Sequence, residues 1–460
     1  MSLNDIVNAL GVTVLLPIVI FVLALFFRIP AQRAFRSAVV IGIGFIGINL
    51  ILGFFLNNLA PAAEKMVEAA GVNLPILDVG WPAAAAIAFA GRIGLFIIPV
   101  VVLVNVIMYV LRLTDTVNVD VWNYWHFAFT GGLVHAMTGN VWLGITVAAL
   151  NAMIVLVLGD WTAPAVQQYY KLPGISLPHG FSAAAVPIAI PINWALDKMH
   201  LDRIQADPEA ISKKWGFLGD PVIIGLILGF VVGILGNLQT LNTANAWFNV
   251  LKLGVAMAGV MYIFPKMVAI LMDGLIPISE GVRDFMKTRA SQRKFYIGLD
   301  SAIAVGDPAA IASAMILVPI AIVLMVLIPQ NRILLAVDLA VLPFMVVMTI
   351  PITRGNILKT VIIGTIIIAV GLMVGTHMAP LFTEAARAAQ FEMPSGATMI
   401  SSICDGSNLL TWVMVQLMRL SWFGALVLFL IGLGLAYLFR RNRKTWERAA
   451  GALEEVEEAE

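Results

Sequence analysis

The stretch Leu177-Pro178-His179-Gly180-Phe181-Ser182 interrupts apolar sequence on both sides: Val141–Leu158 precedes it and Gly180–Leu196 continues from it. Proline removes a backbone donor and glycine loosens the chain, so a regular helix is not expected to run through this point. Such a break inside lipid leaves N–H and C=O groups that hydrocarbon cannot satisfy. It survives only where protein or a water-filled cavity covers it. Composition indicates that the surroundings are lipid. The 460 residues are 60% hydrophobic and 12% charged, with a mean hydropathy of +0.95, whereas a soluble domain carries about 25% charged residues. Too little polar material is present to coat a globular surface.

The same inventory excludes other classes. A net charge of +1 gives no broad basic field for nucleic acid. One cysteine, Cys404, excludes a disulfide framework and a cysteine-based metal cluster. No His and carboxylate spacing suggests a metal site, so neither metal nor cofactor is expected. Met1–Asp5 lacks a positive segment, and the apolar run behind it reads as a retained span.

A membrane-crossing helix needs about 20 mostly apolar residues. Clear runs are Gly11–Phe27, Val39–Leu56, Ile93–Val110, Val141–Leu158, Val222–Leu235, Ala246–Phe264, Ala309–Ile328, Ile333–Ile350, Thr360–Val374 and Trp422–Phe439. Interrupted ones are Phe127–Met137, Gly180–Leu196, Met267–Ile278 and Leu409–Met418. Basic residues gather in the segments holding Arg28, Arg33 and Arg36; Lys198, Arg203, Lys213 and Lys214; Arg283, Lys287, Arg289, Arg293 and Lys294; and Arg440, Arg441, Arg443 and Lys444. The positive-inside rule makes these cytoplasmic. It places the N-terminus outside and the C-terminus inside, so the count is odd, and about eleven crossings are expected by length. The last residues turn acidic from Glu454 to Glu460 and read as a solvated surface segment.

Gly80-Trp81-Pro82-Ala83-Ala84 recurs as Gly306-Asp307-Pro308-Ala309-Ala310, at an offset of 226 residues that also carries Pro178-His179-Gly180 onto Cys404-Asp405-Gly406. This suggests two transmembrane repeats, 1–200 and 220–420. A basic cytoplasmic loop, 201–219, joins them; a final helix, 421–439, and a cytoplasmic tail, 440–460, follow. Paired halves with broken segments at matching places point to a transporter with its site near the midplane. The expected fold is thus an all-α polytopic membrane protein with re-entrant segments.

Polar residues at the breaks are the candidate site. An ionised Asp at membrane depth costs about 2.5–3.5 kcal/mol, so such groups are functional candidates by default. Carboxylates and imidazoles make charge-assisted hydrogen bonds to hydroxyls, and a Trp face packs against C–H bonds, which together suit a vicinal polyol. His179 and Asp300 stand out, each in a Gly-flanked break. Asp307 and Asp405 sit in the second-half motifs. Blander readings apply elsewhere: Asp78 and Asp120 as interfacial loop residues, Trp122 and Trp125 as aromatic-belt anchors. His135 reads as an interhelical hydrogen bonder, His200 as solvated and His377 as an interfacial helix end. An ion-coupled secondary transporter using Asp300, Asp307 and Asp405 as a relay is the rival reading. A passive channel lacks a ring-forming selectivity motif.

Asp78-Val79-Gly80-Trp81-Pro82, Val117-Asn118-Val119-Asp120-Val121-Trp122-Asn123, Trp125-His126, Pro178-His179-Gly180, Ile297-Gly298-Leu299-Asp300 and Thr411-Trp412 together resemble the galactitol permease IIC family of the bacterial phosphotransferase system. Pro61-Ala62-Ala63 and Met272-Asp273-Gly274-Leu275 extend the likeness along the chain. The resemblance implies a relation to ascorbate transporters of the same system, and with it eleven segments in two five-helix pseudo-repeats, and a homodimer. A substrate-carrying core would slide against a dimerising scaffold, as an elevator in the bacterial inner membrane. It places substrate contacts at Gly80, Trp81, His126, Thr130, His179, Gly180 and Asp300. It also implies a soluble IIB partner that donates a phosphoryl group from its cysteine, with IIA upstream; this chain has no phosphoryl-carrying residue of its own. The chain departs from the galactitol pattern at Asp307, where the family has His, and across Cys404–Asn408. A polyol, rather than one named sugar, is the expected substrate.

Overall fold

The computed structural model describes residues 14, 17–69, 71, 74–120, 122–204, 206–209, 220–288, 295–335, 337–394 and 397–453. The basic residues Lys213, Lys214, Arg289, Arg293 and Lys294, the acidic tail from Glu454, and the start of the first apolar run lie outside them.

The described chain is mostly helical. In order it forms α1 (Ala31–Ala69), β1 (Ile76–Asp78), α2 (Gly80–Ala90), α3 (Gly94–Val110), β2 (Thr116–Asn118), α4 (Trp125–Thr138) and α5 (Val141–Tyr170). Then come β3 (Ile175–Ser176), α6 (Val186–Lys198), α7 (Pro221–Gly236), α8 (Ala244–Thr288), β4 (Tyr296–Gly298), α9 (Ala302–Val305) and α10 (Pro308–Leu327). The rest is β5 (Ile333–Leu334), α11 (Leu342–Val346), α12 (Thr349–Thr353), α13 (Ile357–Ala388), β6 (Met399–Ser401), α14 (Leu409–Met418), α15 (Trp422–Arg441) and α16 (Arg443–Ala449). Among the described residues, six helices are long and apolar enough to cross a membrane, or seven if α2 and α3, bent by 89°, make one broken span. Shorter apolar helices are Pro17–Phe26, Val222–Gly236 and Leu409–Met418.

Two sequence expectations need correction. The fold is not purely α: among the described residues, six strands of two or three residues form two parallel sheets, ordered β5-β1-β6 and β2-β4-β3. They occur at the chain breaks, where strand pairing satisfies backbone groups that a helix would otherwise have bonded internally. Nor is Ile333–Ile350 one helix. It holds β5, a short 3-10 turn at Val337–Val341, and α11. Asp338 and Pro343 divide it, because a buried carboxylate needs donors and proline interrupts helical bonding. By contrast, Ala246–Phe264 and Met267–Ile278 merge into the single helix α8 despite Pro265 and Pro277.

Exchanging β1, β2 and β3 for β4, β5 and β6 turns one sheet order into the other. Pro178-His179-Gly180 and Cys404-Asp405-Gly406 each follow the third strand of their set. Gly80, however, opens α2 directly after β1, whereas Gly306-Asp307-Pro308 opens α10, one helix further from β4. That motif match joins places that differ in strand order.

At the centre, α5 is apolar on all sides and buried along most of its length, as an inner helix should be. It meets α4 through Gly131 and Gly144: a Cβ on Gly131 would lie 2.6 Å from the Gly144 carbonyl oxygen. Lipid offers no hydrophobic drive between helices, so such small-residue contacts and edge-to-face rings, as in Phe129–Phe382 at 4.8 Å, hold the packing. The helices α1, α7 and α8 pack chiefly against one another.

Candidate functional site

The strands of β2-β4-β3 run parallel, so their C-terminal ends deliver residues to one place. The chain leaves β2 through a 3-10 turn, Trp122–Tyr124, and starts α4 at Trp125 and His126. Local bonds fix that exit. Asn105 receives from Asn118 N (2.9 Å), Asn118 Oδ1 receives from Asp120 N (3.1 Å), and Tyr124 OH donates to Asn118 O (2.9 Å). His179 follows β3 by three residues and Asp300 follows β4 by two. Asp405, beyond β6 of the other sheet, completes the set.

These four side chains form one row. Asp405 Oδ2 lies 2.5 Å from His126 Nδ1, His126 Nε2 lies 3.3 Å from His179 Nε2, and His179 Nε2 lies 3.5 Å from Asp300 Oδ1. Side-chain exposure is 1% for His126 and Asp405 and 5% for His179, but 14% for Asp300, so the row opens at its Asp300 end. The backbone N–H of Ser182 points at His179 Nδ1 (3.3 Å). Nδ1 therefore accepts, and a neutral His179 carries its proton on Nε2. His126 donates from Nδ1 to Asp405 and keeps a lone pair on Nε2. One assignment of protons thus satisfies the row with both imidazoles neutral. Trp125 stacks on the His126 ring at 3.9 Å between centroids, and Phe344 stacks on His179.

Other expected site residues surround the row. Gly180 backs onto His126: a Cβ there would lie 2.5 Å from the His126 Cβ, so only glycine lets the two segments approach. Its carbonyl accepts from Asn408 Nδ2 (3.2 Å). Thr130 Oγ1 sits one turn below, receiving from Asn151 Nδ2 (2.8 Å) and facing Thr411 Oγ1 (3.4 Å). A cleft next to Asn408 is lined by Phe181, Ala184, Ile403 and Ser407. Gly80 and Trp81 bond into a different group: Gly80 N donates to Asp78 (3.1 Å) and Trp81 N to Asp338 (2.8 Å). Asp307 caps α10, accepting from Ala309 N (2.9 Å) and Ala310 N (3.2 Å), with Tyr169 OH at 3.5 Å. The structure does not bring Asp307 into the row.

His126, Cys404 and Asp405 place ligand-type atoms within 4.8 Å of one another. Two ligands of one tetrahedral zinc, bonded at 2.0–2.1 Å, stand about 3.3 Å apart. The 2.5 Å between His126 and Asp405 is a hydrogen bond instead.

The model of one protein family, described as "PTS system sugar-specific permease component", matches residues 5–396. The chain belongs to this family. It is 38% identical to a "Putative permease IIC component" of Escherichia coli K12 over 424 residues, covering 92% of this chain and 95% of that protein. It is 35% identical to the "PTS system galactitol-specific EIIC component" of the same strain over 447 residues, covering 97% and 96%; the protein of that name in Escherichia coli O157:H7 gives the same values.

Several buried polar residues of this permease escaped the sequence reading. Asp338, 0% exposed, accepts from Trp81 N, Ser402 Oγ (2.5 Å) and Cys404 N (3.3 Å), while its own N–H donates to Asp78 Oδ2 (2.8 Å). Its one sequence signal was an acid inside an apolar run. Asp78 and Asp120 are buried within the protein, and Trp125, 2% exposed, is no belt anchor. His377 lies within α13 and accepts from Trp412 Nε1 (2.9 Å). At the opposite end of β2, Asp115 meets Arg440 (2.9 Å) and Arg443 (2.7 Å), tying α15 and α16 to the sheet. Burial pushes the Asp115 carboxyl up, but the Arg440 and Arg443 guanidiniums outweigh it and hold the group below its usual 3.8.

Proposed function

We propose that the chain binds and translocates a sugar alcohol of the galactitol type, which a separate phosphorylated IIB protein, charged by IIA, phosphorylates on the cytoplasmic side. The row Asp405–His126–His179–Asp300 carries this reading. A hydroxyl both donates and accepts, and the row offers carboxylate acceptors at its two ends with a donor and an acceptor imidazole nitrogen between them. Asp300 and His179 bind the solute, and His126 with Thr130 and Gly180 forms the back of the pocket; Gly80 and Trp81, bonded to Asp78 and Asp338, are proposed as solute contacts on the family resemblance alone. Asp307 is read as a helix cap and Asp405 as the partner of His126. The names of the Escherichia coli relatives support galactitol as the first substrate to try.

Phosphorylation adds about −1.5 to −2 charges and traps the product inside. Cys404 is buried, which fits a phosphoryl donor on another chain. The elevator reading is supported by the separation of α1, α7 and α8, as scaffold, from the segments that hold the row. Along α1 the exposed residues Phe35, Val39, Ile43, Ile46, Leu50 and Phe54 make an apolar face suited to lipid or to the second copy of a homodimer. About eleven crossings, an outer N-terminus and a cytoplasmic C-terminus complete the proposal; among the described residues the long and shorter apolar helices together account for up to ten of them.

The test is uptake of labelled galactitol by vesicles carrying the chain, with and without the soluble phosphocarriers. Accumulation of galactitol phosphate only in their presence is expected. Uptake driven by an imposed proton or Na⁺ gradient, yielding unmodified galactitol, overturns the reading in favour of an ion-coupled transporter.

A further inference from the structure

We propose that His126, oriented by Asp405, takes the proton from the solute hydroxyl as that oxygen attacks phosphorus; this rests on the function proposed above. In the step an O–P bond forms to the solute, the S–P bond to the IIB cysteine breaks, and the sulfur leaves as a thiolate on IIB. The hydroxyl proton must go to a base within hydrogen-bond reach.

The groups facing His126 come from four elements. Asp405 and Cys404 lie beyond β6, His179 and Ser182 beyond β3, Asp300 beyond β4, and Thr130 one turn along α4. His179 is a poor base here, because the Ser182 N–H occupies its Nδ1 and its Nε2 already carries the proton. It serves as the donor that holds the hydroxyl oxygen. His126 has the opposite arrangement: its Nδ1–H is directed at Asp405 and its Nε2 lone pair faces the site. A carboxylate behind the ring fixes the tautomer and stabilises the imidazolium formed on proton uptake. In the structure each Nε2 occupies the place that a hydroxyl would take on the other, so the imidazoles part to admit the solute between a donor and an acceptor. His126 is then the catalytic residue and Asp405 a positioning residue, 1% exposed and acting only through the ring.

The experiment compares full-length wild type with Asp405→Asn in proteoliposomes, measuring galactitol binding and single-turnover phosphorylation by phosphorylated IIB across pH. Asp405→Asn is expected to keep most of its galactitol affinity but to lose about 100-fold or more in phosphorylation, the usual range for a general base. The acid limb of its rate profile moves to lower pH, because an imidazolium without a facing carboxylate forms less readily. Asp405→Glu, which keeps the carboxylate, restores part of the rate. Equal losses in binding and phosphorylation, or no loss of rate, overturn the assignment. Should the Asn variant fail to fold, the wild type decides. An acid limb present in phosphorylation but absent from binding supports a base used only in the chemical step, and identical limbs overturn it. Wild type that binds no galactitol overturns the polyol reading itself, a distinct result.

Discussion

The C-terminal ends of the two sheets treat buried carboxylates in opposite ways. Beyond β5-β1-β6, Asp338 is surrounded by donors: Trp81 N, Ser402 Oγ and Cys404 N all point at it. Beyond β2-β4-β3, Asp300 accepts from Ala302 N (2.9 Å), lies against His179 and keeps a partly exposed face. The sheets have interchangeable strand orders, yet Asp338 is saturated by two backbone amides and a hydroxyl while the other end leaves acceptors and imidazoles facing each other. A carboxylate whose lone pairs are spent on donors from distant segments of the chain holds the fold together. One with capacity to spare can bind a solute.

Asp338→Ala should have the largest effect of the changes that probe this contrast. It strands several buried donors at once, each costing about 1–3 kcal/mol, so thermal unfolding of the purified protein should show a severe loss of stability. A near-wild-type midpoint would show that the saturated end is not structural. Asp300→Asn should leave folding and elution unchanged while weakening galactitol binding. Loss of one charge-assisted hydrogen bond costs about 1.5–3 kcal/mol, or about 10- to 150-fold in affinity. Unchanged affinity would remove Asp300 from the site. The smallest effect concerns the far end of β2-β4-β3, where Asp115 holds Arg440 and Arg443. Its folded-state value lies below 3.8, so its stabilisation is complete above that pH and is lost as pH falls through the folded value. Hydrogen exchange over Arg443–Leu453 should accelerate only below about pH 4, with the sheet ends undisturbed.

His179 and Asp300 were legible because glycine and proline flank them in apolar surroundings, and a break inside lipid needs a reason. Asp338 was not, since Ile333–Ile350 is apolar enough to pass for a helix and strands of two or three residues carry no periodic signal. Asp405 was singled out from its motif, but nothing local showed that its partner would be His126, 279 positions away.

Sequence alone thus determined the solvent, the family and the breaks at Pro178-His179-Gly180 and Gly298-Leu299-Asp300, because hydrophobicity, motif identity and helix breaking are properties of local residues. Which broken ends meet was decided by tertiary structure. The first strand of each set pairs with the second and third strands of the other, and that exchange places Asp405 behind His126 and His179 in front of it. Hydrogen bonds between segments so distant depend on register, and register exists only once the chain has folded.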